Sequence, residues 1–178
     1  MSEIMIAGFG GQGILAAGVM LANAGLLAGL QTTWLPSYGA TMRGGTANCF
    51  VKIDSEEIGS PYIDEADFLL AFNEPSLLKF HGTVKKGGCI FANSSLIRKE
   101  VPRSDVNVFY VPATERAREL GDVRTANVFM LGVLFSKTAL LPYESAAASL
   151  EDYFSAKSEK VIELNKRVFR AGYEWKEG

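Results

Sequence analysis

The stretch Met5-Ile-Ala-Gly-Phe-Gly-Gly-Gln-Gly-Ile14 constrains this chain more than any other. A short apolar run closes on four glycines within six residues, and an Ala/Leu-rich run follows at once. The pattern predicts a strand, a tight turn, and a helix whose first N–H groups point into the turn. Gly8, Gly10 and Gly13 fit the G-x-G-x-x-G spacing, which lets an anion approach bare backbone at a helix N-terminus. A nucleotide-like ligand is the first expectation.

A nicotinamide cofactor needs more than these glycines. It needs an acidic residue at the end of the second strand, to take the ribose hydroxyl. That region reads Thr33-Trp34-Leu35-Pro36-Ser37-Tyr38, and no Asp or Glu occurs between Glu3 and Asp54. Arg43 could accept a 2′-phosphate but lies well into the following loop. A tight strand–helix crossing with no ligand is the plain alternative.

The second dense stretch is Ser37-Tyr38-Gly39-Ala40-Thr41-Met42-Arg43-Gly44-Gly45-Thr46-Ala47-Asn48-Cys49. An arginine followed by two glycines can present a guanidinium beside open backbone N–H groups, which suits phosphate or carboxylate. Tyr38 can stack on a planar group or hydrogen-bond to it. Read alone, the same loop is also a surface loop with a solvated arginine.

The rest of the chain places these loops. Strands are expected over Glu3–Gly8, Gln31–Leu35 (ended by Pro36), Thr46–Ile53, Ala66–Phe72, Cys89–Ala92 and Val106–Val111. Helices are expected over Gly11–Gly29, a short stretch after Asn73, Thr114–Leu120, Thr125–Lys137, Tyr143–Phe154 and Ser158–Trp175. Asn73, Thr114 and Thr125 are candidate caps. Alternating strands and helices predict an α/β, Rossmann-like fold over residues 1–178 as a single domain. Its sheet is mostly parallel with helices on both faces. The period-two pattern of Thr46–Ile53 adds an antiparallel β excursion near 45–60, expected at one side of the sheet. If the first two strands are neighbours, the two glycine loops face one crevice.

Composition excludes several classes. With 178 residues and a net charge of −2, the chain is one domain's length and has no field favouring nucleic acid or an acidic membrane. Ile14–Leu30 is nearly long enough to span a bilayer, but Asn23 and small residues interrupt it, and a buried helix is expected there. The N-terminus lacks a basic region and its apolar run is broken by glycines, so no secretion signal is expected. Cys49 and Cys89 have no metal-like spacing and read as reduced thiols in a cytoplasmic protein. His81 is the only histidine and reads as a surface or packing residue. Arg124 reads as ligand-reaching or solvated. No histidine dyad, metal cluster, GKS/T phosphate loop or iron–sulfur motif occurs, so no catalytic residue is assigned.

Taken in order, these residues resemble a known family. Gly8-Phe9-Gly10-Gly11-Gln12-Gly13-Ile14, then Ser37-Tyr38-Gly39 with Arg43-Gly44-Gly45-Thr46-Ala47-Asn48-Cys49, are similar to the gamma subunit of 2-oxoacid:ferredoxin oxidoreductases. The similarity continues through Ile58–Pro61, Asn73–Leu77, Asn93–Ile97, Pro112–Thr114 and Asn127–Gly132. The chain departs from a common family version at Ala40-Thr41, where that version has Pro-Glu. The resemblance implies a multi-subunit enzyme converting a 2-oxoacid and coenzyme A to acyl-CoA and CO2 while reducing ferredoxin. It implies thiamine diphosphate on alpha and beta subunits, iron–sulfur clusters in other subunits such as a ferredoxin-like delta subunit, and coenzyme A contact by this chain. The expected contacts are Gly10, Gly11, Gln12 and Gly13 from the first loop, and Tyr38, Arg43, Gly44 and Gly45 from the second. A structural subunit whose glycine loops pack on the alpha subunit is an alternative, as is a free-standing nucleotide-binding oxidoreductase.

Overall fold

The computed structural model describes residues 1–38 and 45–177. β1 (Ser2–Phe9) is buried without a break from Glu3 to Gly8, the mark of a strand covered on both faces. β2 (Gln31–Tyr38), β3 (Thr46–Asp54), β4 (Ala66–Ala71), β5 (Val84–Asn93) and β6 (Asn107–Val111) join it in one sheet of order β2-β3-β1-β4-β5-β6. β1, β4, β5 and β6 run parallel, while β3 is antiparallel to both β1 and β2.

The antiparallel strand is therefore present toward one side of the sheet, but β3 lies between β1 and β2, so the first two strands are not neighbours. β2 takes the edge, and this explains a second difference. Pro36 does not end β2, which runs on to Tyr38. An edge strand tolerates a residue without an N–H, because only one of its sides is paired.

Five helices cover one face: α1 (Ile14–Leu27), α3 (Ala113–Leu120), α4 (Ala126–Thr138), α5 (Tyr143–Phe154) and α6 (Glu159–Tyr173). Ile4, Ile6, Cys49, Val51, Leu70 and Phe91 point into this layer. The other face is thinner. There α2 (Glu74–Phe80) and residues from irregular segments, Ile63, Ile97 and Val101, cover Met5, Ala7, Leu69 and Ile90. α1 lies so close to the sheet that a Cβ on Gly18 would stand 2.5 Å from Cys49 Sγ, and one on Gly25 would stand 2.5 Å from Thr32 Cγ2.

Capping differs from expectation at two of three places. Asn73 caps α2, its side chain accepting from Ser76 N–H at 2.9 Å. Thr114 does not cap α3; its hydroxyl accepts from Asn93 Nδ2 at 2.8 Å. Thr125 does not cap α4, because its hydroxyl donates to the Asp122 carbonyl. α1 starts at Ile14 rather than Gly11, since the residues before it form the turn. β5 begins at Val84, not Cys89, with an irregularity in its pairing to β4 before Phe68.

Candidate functional site

The turn between β1 and α1 is held by one side chain, Gln12. Its Oε1 accepts Phe9 N–H at 2.7 Å, while its own N–H donates to the Phe9 carbonyl at 3.2 Å. The same Oε1 accepts Asn73 Nδ2 at 3.0 Å, and Nε2 donates to the Phe72 carbonyl at 3.3 Å. One amide thus ties the turn to the carboxyl end of β4, sixty residues away. Gly11 (φ 98°) and Gly13 (φ 72°) adopt the left-handed conformation that swings the chain from strand into helix.

Gly13 also meets a close neighbour. A Cβ there would stand 2.5 Å from Asn127 Nδ2, which donates to the Gly13 carbonyl at 3.1 Å. Asn127 is buried at the start of α4, so the first turns of α1 and α4 are joined. The Gly13 carbonyl takes the Ala17 N–H as well. The N–H groups of Ile14, Leu15 and Ala16 have no intrahelical acceptor by helix geometry. Among the described residues no side chain caps α1, and no acidic residue sits in its first turn. Among these residues the positive end of the helix dipole is left open.

These N–H groups border a cleft of about 710 Å³, walled by Phe9, Leu15, Ala16, Trp34, Pro36 and Thr46, with Gly10, Gly11, Gly13 and Gly45 also lining it. The volume is in the range of small-molecule sites. Gly10 N–H donates to the Gly45 carbonyl at 2.9 Å, joining the first glycine turn to the stem of the second loop. The two loops meet, although their strands are separated by β3. Among the described lining residues none is charged; they offer backbone donors and apolar contact.

On the other side of the turn lies a smaller pocket of about 220 Å³, touching Gly11, Gln12, Thr114 and Arg124. Its polar groups are engaged internally. Arg124 Nη2 lies 2.6 Å from Asp122 Oδ2, and Arg124 is largely exposed, which matches the solvated reading of this residue.

Of the residues expected at the site, Gly10, Gly11, Gly13 and Gly45 come together around the larger cleft. Gln12 lies behind them as the turn's clasp. Arg43 and Gly44 lie outside the described residues, and of Tyr38 only the backbone in β2 is described. Sequence reasoning did not single out Asn127 or Trp34 as part of this region. The available signal for Asn127 was an amide opening an otherwise apolar helix. The placement of β3 gives a physical reason against a nicotinamide site: the end of β2 carries no acid and is one strand further from the turn than that fold requires. Cys49 is no nucleophile either. It is buried beneath α1, its thiol facing the Ile14 carbonyl at 3.6 Å, and burial pushes its pKa up to about 12. Among the described residues, no group of three or more His, Cys, Asp or Glu could hold a metal ion, and no helix is long and apolar enough to cross a membrane.

Known proteins share this sequence pattern and fold. The chain is 42% identical over 177 residues to the ketoisovalerate oxidoreductase subunit VorA of Methanothermobacter marburgensis. That match covers 97% of this chain but 36% of VorA, so the chain spans about a third of that relative's length. The keto/oxoacid ferredoxin oxidoreductase gamma subunit of Geobacter sulfurreducens superposes with a TM-score of 0.84 at 29% identity, over 98% of this chain and 97% of that one. The 2-oxoglutarate:ferredoxin oxidoreductase of Magnetococcus marinus, solved with 2-oxoglutarate, coenzyme A and succinyl-CoA bound, superposes with a TM-score of 0.87 at 27% identity, over 97% of this chain and 30% of that chain. The family model for pyruvate ferredoxin/flavodoxin oxidoreductase matches residues 3–175, and the chain belongs to that family.

Proposed function

We propose that this chain is, over its whole length, the gamma-type domain of a cytoplasmic 2-oxoacid:ferredoxin oxidoreductase. The assembled enzyme joins a 2-oxoacid to coenzyme A, releases CO2 and passes the electrons to ferredoxin. Alpha and beta subunits hold thiamine diphosphate, and iron–sulfur clusters sit in partner subunits such as a ferredoxin-like delta subunit. With two cysteines in all, this chain lacks the four thiolates a cluster takes. Its own part is to contribute to coenzyme A binding.

One observation carries this role: a helix N-terminus that is uncapped and acid-free among the described residues opens into a cleft of about 710 Å³. Coenzyme A brings a pyrophosphate and a 3′-phosphate. The N–H groups behind Gly10, Gly11 and Gly13 suit one anion, and Arg43 with Tyr38, Gly44 and Gly45 is assigned the other. Gln12 serves the site through the turn it holds. The chain supplies geometry and charge, while bond making takes place on the partners' cofactor.

Two substitutions test this in the assembled enzyme. Ala16→Asp places a carboxylate among the open N–H groups, and Arg43→Ala removes the cation. Each is expected to raise the KM for coenzyme A several-fold or more, with the KM for the 2-oxoacid little changed. Unchanged coenzyme A KM values in both variants sink the assignment. The apolar walls, Phe9, Leu15, Trp34 and Pro36, favour a second reading, in which the cleft receives a segment of the alpha subunit. In that case the same variants weaken assembly and leave the coenzyme A KM of the remaining complex unchanged.

A further inference from the structure

α1 carries no charged side chain from Ile14 to Leu27. A helix that is apolar on every side belongs in a protein interior, yet only its inner face is buried, through Ala17, Gly18, Leu21, Ala24 and Gly25. Its outer face is open: Leu26 is 55% and Leu27 53% exposed, and Leu15 and Val19 are half-buried. Trp34 from edge strand β2 (37% exposed) and Tyr153 from α5 (42%) continue the same surface. Between them runs a groove of about 300 Å³, bordered by Val19, Leu26, Trp34 and Tyr153. The Asn23–Asp152 hydrogen bond (3.1 Å) lies within it. Trp34 also walls the larger cleft, so one apolar band runs from the cleft along α1, about 20 Å at the helical rise per residue.

We infer that this band is the docking seat for the polypeptide homologous to the rest of VorA, the part this chain does not match. The inference rests on the subunit reading above. Two facts choose that occupant. This chain corresponds to 36% of VorA and 30% of the Magnetococcus marinus chain, so in both proteins a domain of this kind shares one polypeptide with a much longer remainder. A tether of that sort keeps the remainder at high effective concentration beside the domain. The surface is apolar and aromatic over Val19, Leu26, Trp34 and Tyr153, and the one charged side chain among its described lining residues, Asp152, is hydrogen-bonded to Asn23, a chemistry that suits a permanent interface. A transient partner would be met by a more polar surface. A polypeptide seated here walls the mouth of the cleft at Trp34, so the site is completed by the partner.

The test is co-expression of the full chain with the alpha-type polypeptide of its own enzyme. The double variant Leu26→Glu/Leu27→Glu changes two exposed positions, and far-UV circular dichroism verifies that it folds. Tyr62→Glu, at a 68% exposed residue outside the band, is the control. The double variant is expected to lose co-purification at least tenfold, with the control unchanged. A double variant that co-purifies like the unsubstituted chain overturns the docking seat and leaves the subunit reading standing. Failure of the unsubstituted chain to co-purify overturns both. If the chain alone is a dimer that the double variant dissociates, the band is a contact between copies and the inference falls. The coenzyme A assignment stands or falls separately, on the KM measurements.

Discussion

At its amino end β1 carries Glu3, whose carboxylate is shared between Lys52 (3.0 Å) and Lys85 (2.8 Å), with Asp67 completing the cluster 2.8 Å from Lys85. Even the Glu3 N–H is taken, by Asp67 Oδ2 at 2.7 Å. At its carboxyl end the same strand opens into a turn with no charge among its described lining residues, and three helical N–H groups are left without intrahelical acceptors. The first end is charged and self-satisfied; the second, among the described residues, is uncharged and open. Paired charges at the closed end hold β1, β3, β4 and β5 in register and have nothing left to offer a ligand. Donors at the open end that lack an acceptor among the described residues add little to folding.

The comparison breaks most visibly at the closed end. Glu3→Ala leaves the nearly buried Lys52 without its partner, and removing one member of a buried pair costs about 3 kcal/mol. The Lys85 contact adds less, because Lys85 is about one-third exposed and solvent screens it. Urea unfolding checks this, and a loss below about 1 kcal/mol would show the cluster to be ornamental. Activity of the assembled enzyme should change little, because the cluster is at the far end of the strand from the cleft. Gly13→Ala should come second, at about 2 kcal/mol, combining a left-handed backbone with a Cβ forced against Asn127. Here the binding readout should move more than stability does, with a raised coenzyme A KM. A raised KM for Glu3→Ala instead would erase the division between the ends.

Acidity gives a smaller, graded test. Burial alone would raise the Glu3 carboxyl, but hydrogen bonds from Lys85 and Lys52 outweigh it and hold it below its ordinary 4.5. A carboxyl lowered on folding contributes stability that is complete above the unfolded value and fades as pH falls through the folded one. Lys85 works in the opposite sense. Burial lowers it, but Asp67 and Glu3 outweigh this and raise it above 10.5, so its share is complete below that value and fades as pH rises through the folded one. Unfolding free energy should therefore decline below about pH 4.5, and Glu3→Gln should flatten part of that decline. An unaltered acid slope in the variant would mean that other carboxylates carry it.

The open end was easier to read in the sequence than the closed one. Strand, glycine turn and helix are contiguous from Glu3 to Leu27, and the glycines required by backbone conformation show directly in the residue names. α5, Tyr143–Phe154, matches its expected limits for the same local reason. What escaped was non-local. Alternation in Thr46–Ile53 marked a two-faced strand but not the strands beside it, so its insertion between β1 and β2 was not legible. The strand expected over Cys89–Ala92 already begins at Val84, and its Lys85 pairs with Glu3, 82 residues away. The hydrogen bonds of Gln12 to Phe72 and Asn73, about sixty residues distant, are not legible in the local sequence. Asn127 looked like part of a helix start, and its bond to Gly13 spans 114 residues.

The smallest expected effect concerns the thiol beneath the open end. Cys49 sits under the first turn of α1, close enough to the cleft for a nucleophilic role to be imagined. Burial raises its pKa to about 12, so at pH 8 only about one thiol in ten thousand is ionised, and the thiolate is the reacting form. Cys89 is also raised by burial, but it is only half-buried and should label first. Iodoacetamide at pH 8, followed by peptide mass analysis, should leave native Cys49 unmodified over a time that fully modifies the unfolded chain. Labelling of native Cys49 at the rate of a free thiol would put a reactive group at the neutral end of β1. The turn would then be a place of chemistry, and the division between a charged end for stability and a neutral end for binding would no longer hold.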